Sequence, residues 1–590
     1  MKRRVLQVQL LSLSCLLLSQ STTVAFADTA KATPIAAADS VSHAQEAVLA
    51  ELIDKYLEAG FKRSPNSATV LGFHQYDSMA PDLSASAIKS EIDELKDFQK
   101  KFDELKTDSL SQRSKIDLQL IKSKIKAELL ELEDVKNWER NPDFYSSRAS
   151  SIVYDLISRD FAPLTERMRS VIAREKKIGA MLDAGKANLK NPPRIYTEVA
   201  IEQLPGIIDL FKNSVTEKFK SVTDKELKSE FESSNTEVIK QLSEYLQFLK
   251  KDLLPKSNGN FALGEDFYKK KLLYEEMEDT PLDQLLSMGQ AELKRLQQEF
   301  ISTAKEIDPT KTPLEVFTAI SSDHPSPSSL VGSVSGVLKK LQDFCSEKNI
   351  ITIPAESNLQ VQETPAFMRA LTFAAMDAPG PFEQKAKEAY YYVTLPEADW
   401  KPERVEEHMR AFCKYDLLNT SVHEAFPGHY VQGLWQRKAP SKIAKIIDCG
   451  SNVEGWAHYC EQMMVEQGLE NGDKKLKMVM IHDALLRCCR YIVGISMHTK
   501  GMSMDEGIKF FVNEGYQEKA NAERETKRGT MDPTYLVYTL GKLQIIALRD
   551  DYKKLKGAEF SLKDFHNKIM ETGAPPIKII RQIIMGNNTK

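Results

Sequence analysis

Apolar residues recur at three- and four-residue spacing through most of this chain, and that spacing leaves few folds open. It runs through residues 43–57, 87–105, 114–132, 164–190, 237–254, 282–307 and 329–347, with charged residues between the apolar ones. Such a segment buries one face and solvates the other when it is an α-helix, because positions three and four apart are neighbours there. Pro, Gly, Asn or Asp stand at most of the ends, where helices stop. The expected fold class is all-α, with the charge-rich faces as solvated surface. The Ser/Pro-rich stretch Ser321–Ser329 breaks the pattern and reads as a loop.

Two stretches depart from helical spacing. Ile350–Pro354, continuing through Leu359–Gln362, is β-branched and alternating, and Tyr390–Leu395 is aromatic and extended in character. A small β-sheet is predicted there, next to the region that carries the chemistry. Such a sheet either offers an edge to an extended peptide or serves as a structural ribbon.

The N-terminus reads as an export signal. Lys2, Arg3 and Arg4 precede an apolar run from Val5 to Leu18, and Ala25-Phe26-Ala27 is a small-x-small cleavage site. Residues 1–27 are expected to be a signal peptide, cleaved after Ala27 on export to a periplasm or the medium. The run is shorter than the roughly 20 residues that span a bilayer, so no stable membrane insertion is expected after cleavage. Cys15 follows Ser12-Leu13-Ser14, a poor lipobox. Residues 28–42 are small and polar, as in a flexible leader. Residues 43–590 show no further composition shift and are expected to form a single helical domain.

Loss of the three leader cations takes the formal net charge from −4 to −7. This mildly acidic, mixed balance argues against nucleic acid or anionic membrane as partner, since both favour basic patches. Seven cysteines include no CxxC pair, so neither a zinc ribbon nor a thioredoxin site is indicated. Cys488-Cys489 reads as packed core.

Six of the ten histidines (His408, His423, His429, His458, His482 and His498) fall within one window of the chain. Inside it stands Ser421-Val422-His423-Glu424-Ala425-Phe426-Pro427-Gly428-His429, followed later by Asn452-Val453-Glu454-Gly455-Trp456-Ala457-His458-Tyr459-Cys460-Glu461. Catalytic zinc takes three protein ligands and keeps one position for water. His423, His429 and Glu454 supply such a set, and Glu424 is placed to act as general base. Histidines six apart point about 120° away from each other on an ideal helix. They converge only if the helix is interrupted, and Pro427 and Gly428 supply the interruption. Two other readings compete: Ser421-x-x-Glu424 as a capping box, and the histidines as a satisfied surface pair.

Asn452 fits an N-cap, after which Glu454, Ala457, His458 and Glu461 share one helical face. Glu454 and Glu461 are two turns apart, about 10 Å, too far to hold one ion. Glu454 is therefore assigned to the metal and Glu461 to orienting a ligand histidine. His458 is either a rival ligand or a structural neighbour.

These motifs resemble the bacterial family catalogued as domain of unknown function 885, whose hallmarks are His-Glu-Ala-x-Pro-Gly-His and then Glu-Gly-Trp-Ala. The resemblance runs end to end, through Ser64–Gly72, Glu363-Thr364-Pro365, Tyr391-Tyr392-Val393 and the C-terminal region. It implies a gluzincin-like, deep-cleft zinc metallopeptidase, in the broad company of thimet oligopeptidase and carboxypeptidase Taq, which space their histidines by four. The family usually reads Arg-x-x-x-Asp-x-Gly-x-His; here Arg490 and His498 keep the ends, while Gly494 and Ser496 depart. Arg528, Pro533, Tyr538 and Gly541 match a later signature, with Thr534-Tyr535 in place of Gly-Gln. Tyr430 stands where the family often carries a further histidine.

Peptide hydrolysis needs donors for an oxyanion. His498, Tyr538 and Arg490 can each donate, or Arg490 can hold a substrate carboxylate; Tyr538 and Arg490 also suit buried structural roles. The expected activity is zinc-dependent hydrolysis of short peptides, with His498 and Tyr538 steadying the oxyanion and Arg490 on the substrate. A metal-dependent amidase on a cell-wall amide and a non-catalytic, metal-stabilised binding protein are the alternatives. Glu424 beside His423 disfavours the last, since a structural site needs no base. The sequence leaves the oligomeric state open.

Overall fold

Apolar spacing translates closely into helices. The computed structural model describes residues 34–355, 358–365, 369 and 374–586, with side chains from residue 44 onward. Leu282–Ile307 is one helix over the predicted residues, and Ala85–Asp103, Leu164–Asn188 and Leu330–Glu347 differ from prediction by a residue or two at their ends. Gln112–Leu129 and Lys225–Phe248 instead pass into wider π turns, Leu130–Val135 and Leu249–Leu253. The first helix, Pro34–Arg63, begins inside the stretch expected to be a leader. Pro suits a first turn and Ala36, Ala37 and Ala38 are strong helix formers. The expected signal peptide and Cys15 lie outside the described residues. Among the described residues no helix is long and apolar enough to cross a membrane.

Three strands form a small sheet: β1 (Leu359–Glu363), β2 (Ala374–Asp377) and β3 (Ala389–Val393), in the order β1-β3-β2. β1 runs parallel and β2 antiparallel to β3. β1 and β3 fall in the two predicted stretches. β2 escapes prediction because Ala-Ala-Met-Asp lacks the β-branched and aromatic residues that mark strands. Ile350–Pro354 is not strand; Ile350 and Ile351 are buried in the helical core instead.

The connection from β2 to β3 is held by the early Ser64–Gly72 stretch. Phe382 donates its N–H to the Leu71 carbonyl, and His74 bridges Asp77 (3.1 Å) and Glu383 (2.7 Å). Burial opposes a charge on His74, but the two carboxylates prevail and raise it to about 9.

Buried apolar side chains gather in three main clusters. One lies among the helices between Tyr145 and Leu253; a second joins Leu49, Tyr56 and Ile121 to Met277, Ile443 and Ile579. The largest spans Tyr268 to Met585 and includes the elements carrying both motifs. In it the helices Gly450–Glu466 and Val537–Lys556 touch backbone to backbone. A Cβ on Gly455 would stand 2.5 Å from the Gly541 Cα, and one on Gly541 1.8 Å from the Ser451 carbonyl oxygen. This approach brings Tyr538 to the same cavity as Glu454. All six cysteines from Cys345 onward are buried thiols.

Candidate metal centre

The helix that carries the first motif stops at Glu424, and the next begins at His429. Between them the Phe426–Pro427 peptide is cis. Phe426 N–H bonds back to the Ser421 carbonyl and Gly428 N–H to the Val422 carbonyl. A Cβ on Gly428 would lie 1.7 Å from the His423 carbonyl oxygen, so only glycine fits this fold-back. The two imidazoles thereby meet, with ring centroids 4.7 Å apart and planes nearly perpendicular.

Glu454 approaches from the helix Gly450–Glu466. Its Oε2 lies 3.4 Å from Nε2 of His423 and 3.4 Å from Nε2 of His429. The donor atoms of His423, His429 and Glu454 all lie within 4.8 Å of one another. Glu454 Oε2 is buried yet has no hydrogen-bond partner, an unmet demand that a cation would satisfy. Burial disfavours a charge on His423, but Glu454 and Glu461 overcome it and raise its pKa to about 9. Two imidazole nitrogens and one carboxylate oxygen form a donor set that zinc accepts, so the residues fit the metal.

The far side of His423 is fixed by the protein. Its Nδ1 is 2.6 Å from Oε1 of Glu461, which leaves Nε2 facing Glu454. Burial opposes ionisation of Glu461, but Arg487, His458 and His423 hold its carboxyl well below the usual range. Arg487 Nη2 stands 3.1 Å from Glu461 Oε1, and Asn419 donates to Asp483 and Glu461. His458 faces the other Glu461 oxygen at 3.2 Å and lies outside the ligand cluster. Burial, with Lys542 nearby, pushes His458 down to about 3.

A cavity of about 650 Å³ opens over these groups. His423, Glu424, His429, Glu454, Tyr538 and the β2 residues Ala374, Ala375 and Met376 stand on its wall. Glu424 is the last residue of its helix, and its Oε2 accepts the Met376 N–H at 3.1 Å. The capping-box reading therefore fails, because Ser421 lies inside the helix rather than ahead of it. Burial and Glu454 raise the Tyr538 pKa, which keeps its hydroxyl a proton donor. Arg528 donates to that hydroxyl at 3.3 Å. Trp456 ties the two motifs together, its indole N–H donating to the Pro427 carbonyl at 3.0 Å.

The family described as "Bacterial protein of unknown function (DUF885)" matches residues 65–584. The chain belongs to the DUF885 family. Among solved structures, a candidate lipoprotein of unknown function from Shewanella oneidensis is 26% identical with a TM-score of 0.77, covering 91% of this chain and 99% of its own. A candidate lipoprotein from Colwellia psychrerythraea is 19% identical with a TM-score of 0.71, covering 91% and 98%; at that identity the likeness is one of fold. No curated protein matches the chain.

In this DUF885 chain, several residues expected at the site serve elsewhere. Arg490 forms a two-point pair with Glu525 at 2.7 and 3.0 Å, so its fork is already taken inside the protein. His498 is 1% exposed. Its Nε2 is 2.8 Å from the Gly529 carbonyl and its Nδ1 accepts the Leu263 N–H at 3.4 Å. Both ring nitrogens are thus spent on backbone, and burial lowers its pKa to about 4. It is a neutral clamp between segments and is not among the residues on the cavity wall. Asn452 is not an N-cap, since the helix starts at Gly450; it accepts from Gln432 and donates to the Pro575 carbonyl. Tyr430 is not among the residues on the cavity wall, and its hydroxyl accepts the Asn358 N–H at 2.8 Å. Arg487 and Asn419 have no counterpart in the sequence reading, and Arg528 entered it without a role. Arg487 lies one turn before Arg490 and Asn419 one turn before His423, but no motif marks either; Arg528 was visible only as part of the C-terminal signature.

Proposed function

We propose that this chain is an exported zinc-dependent peptidase of gluzincin-like logic, acting on short peptides. One observation carries the reading: His423 Nε2, His429 Nε2 and Glu454 Oε2 converge, with an orphaned carboxylate oxygen, on a cavity that also presents Glu424. A purely structural metal site has no use for that extra carboxylate.

His423, His429 and Glu454 would hold the zinc, which when bound would supply a Lewis acid and lower the pKa of a water toward 7. Glu424, with one oxygen steadied by the Met376 N–H, is placed to act as the base that would accept a proton from the attacking water and pass it to the leaving amine. Tyr538, its hydroxyl braced by Arg528, donates to the substrate oxygen that gains charge. Glu461 holds the His423 ring so that Nε2 faces the ion. β2 is an edge strand on the cavity wall, a surface suited to an extended peptide. The basic, apolar, small-x-small leader supports export, as does the description of both similar structures as candidate lipoproteins.

The test pairs a metal analysis with a peptide-library digest. The purified protein is expected to hold about one zinc per chain. Glu424→Gln is expected to keep the metal and lose about 10²- to 10⁴-fold in turnover. Undiminished hydrolysis by that variant removes Glu424 from the mechanism. Cleavage of cell-wall fragments with no cleavage of peptides would replace the peptidase with an amidase.

A further inference from the structure

We infer that Arg528 seats a carboxylate of the substrate, so that a peptide is held by its free C-terminal end beside the metal cavity. This deepens the peptidase reading above and rests on it. Three guanidinium groups surround the Tyr538 ring: Arg487, Arg490 and Arg528 lie 5.8, 5.1 and 5.9 Å from its centroid. Two of them are committed to buried acids. Arg487 is paired with Glu461, whose side chain is 0% exposed, and Arg490 is clasped at two points by Glu525, which is 7% exposed.

Arg528 differs in both respects. Its acidic neighbour is Asp532, four residues on in the chain, at 3.2 Å, and the two side chains are 41% and 40% exposed. Exposed pairs of this kind are weak and screened by solvent, so a carboxylate that reaches Arg528, directly behind Tyr538 of the cavity wall, displaces Asp532 at little cost. The planar fork of an arginine matches two carboxylate oxygens at once. Arg528 also donates to the Tyr538 hydroxyl, and Tyr538 stands on the cavity wall with His423 and Glu454. An anion on Arg528 is then separated from the reacting carbonyl by a single side chain, and the bond cleaved lies near the end of the peptide. The role expected of Arg490 passes to Arg528 because Arg490 is 10% exposed and clasped at two points, whereas Arg528 is 41% exposed with a single exposed acid beside it.

The same carboxylate chemistry could come from a terminal α-carboxylate or from an acidic side chain. The test compares three peptides of one sequence: a free acid, its C-terminal amide, and an amide ending in an added Glu. Wild-type protein is expected to favour the free acid over the plain amide by about 10- to 100-fold in kcat/KM, mostly through KM. Arg528→Gln is expected to bring that ratio close to one, while Arg528→Lys retains part of it. Cleavage of the Glu-terminated amide at the free-acid rate supports Arg528 as the seat but assigns the carboxylate to a side chain. Equal rates for acid and plain amide in the wild type, with hydrolysis still dependent on Glu424, overturn the inference and leave the peptidase reading intact. An acid preference unchanged in Arg528→Gln overturns it too. Absence of Glu424-dependent cleavage of every peptide removes both.

Discussion

Gly428 and Gly433 stand five residues apart beside His429, the second of the proposed ligand histidines, and an added methyl group has opposite consequences at the two. At Gly428 the new Cβ would lie 1.7 Å from the His423 carbonyl oxygen and 2.5 Å from that of Val422. Both are backbone atoms that cannot rotate aside, so relief requires the fold-back between the two histidines to open by more than an ångström. Overpacking in a well-packed region costs about 1–3 kcal/mol, sometimes more, and a rigid backbone neighbour puts Gly428→Ala near about 3 kcal/mol. Zinc tolerates only about 0.2 Å of error in its ligand distances, so on the proposed metal reading the same opening is expected to lower metal affinity. At Gly433, inside the helix His429–Gln436, the nearest atom is the Ala378 Cβ at 3.7 Å, an ordinary contact. Gly433→Ala is expected to stabilise by up to about 1 kcal/mol through helix propensity. The two variants should thus differ by about 4 kcal/mol. Denaturant titration of both proteins in chelator, with zinc competition against a chromophoric chelator, measures the two effects separately. A Gly428→Ala protein with wild-type stability and wild-type zinc affinity would refute the packing argument.

Two further perturbations probe the supports of the site. Glu461→Gln keeps the shape but removes the charge facing Arg487, His423 and His458; zinc affinity is expected to fall about 10- to 100-fold and stability by about 3 kcal/mol. An unchanged affinity in the chelator competition would show that His423 needs no anchor. The His74–Glu383 pair should make stability pH-dependent in the alkaline range. His74 is raised to about 9 in the folded protein, against about 6.5 when unfolded, while Glu383 is held down to about 2, burial opposing and His74 with two backbone N–H groups prevailing. The pair's stabilisation is therefore complete between pH about 4.5 and about 6.5, is lost as pH rises through about 9, and on the acid side is lost as pH falls through about 2. The gap in Tm between wild type and Glu383→Gln should narrow over that range, and a constant gap would contradict the linkage.

Local information was the legible part. Leu282–Ile307 could be read to the residue because burial on one face imposes its spacing on the sequence. The π turns at Leu130–Val135 and Leu249–Leu253 could not, since a single wide turn alters no repeated pattern. β2 is a strand because β3 and the Glu424 carboxylate claim its backbone, not because Ala374–Asp377 favours one. At the site, the presence of His423, Glu424, His429 and Glu454 around one cavity was legible from two short motifs and the Pro-Gly step between the histidines. The partners of Arg490 and His498 were not. Residue type says that an arginine can bind a carboxylate, but not that Glu525 has reached it first. Likewise nothing near His498 announces that Gly529 and Leu263 will occupy its ring. Errors of this kind arise wherever function depends on which competitor arrives from a distant stretch of chain.

The indole of Trp456 gives the two motifs a shared fate. Its bond to the Pro427 carbonyl spans the gap between the segment bearing the histidines and the segment bearing the glutamate, and no ion takes part in it. On the proposed metal reading, this bond within the polypeptide would hold the two ligand-bearing segments together whether or not an ion is bound, so a cation would meet little reorganisation on arrival. Exchange of one metal for another should then leave the surrounding architecture undisturbed, and a replacement of either Trp456 or Pro427 in a descendant sequence would have to be answered at the other.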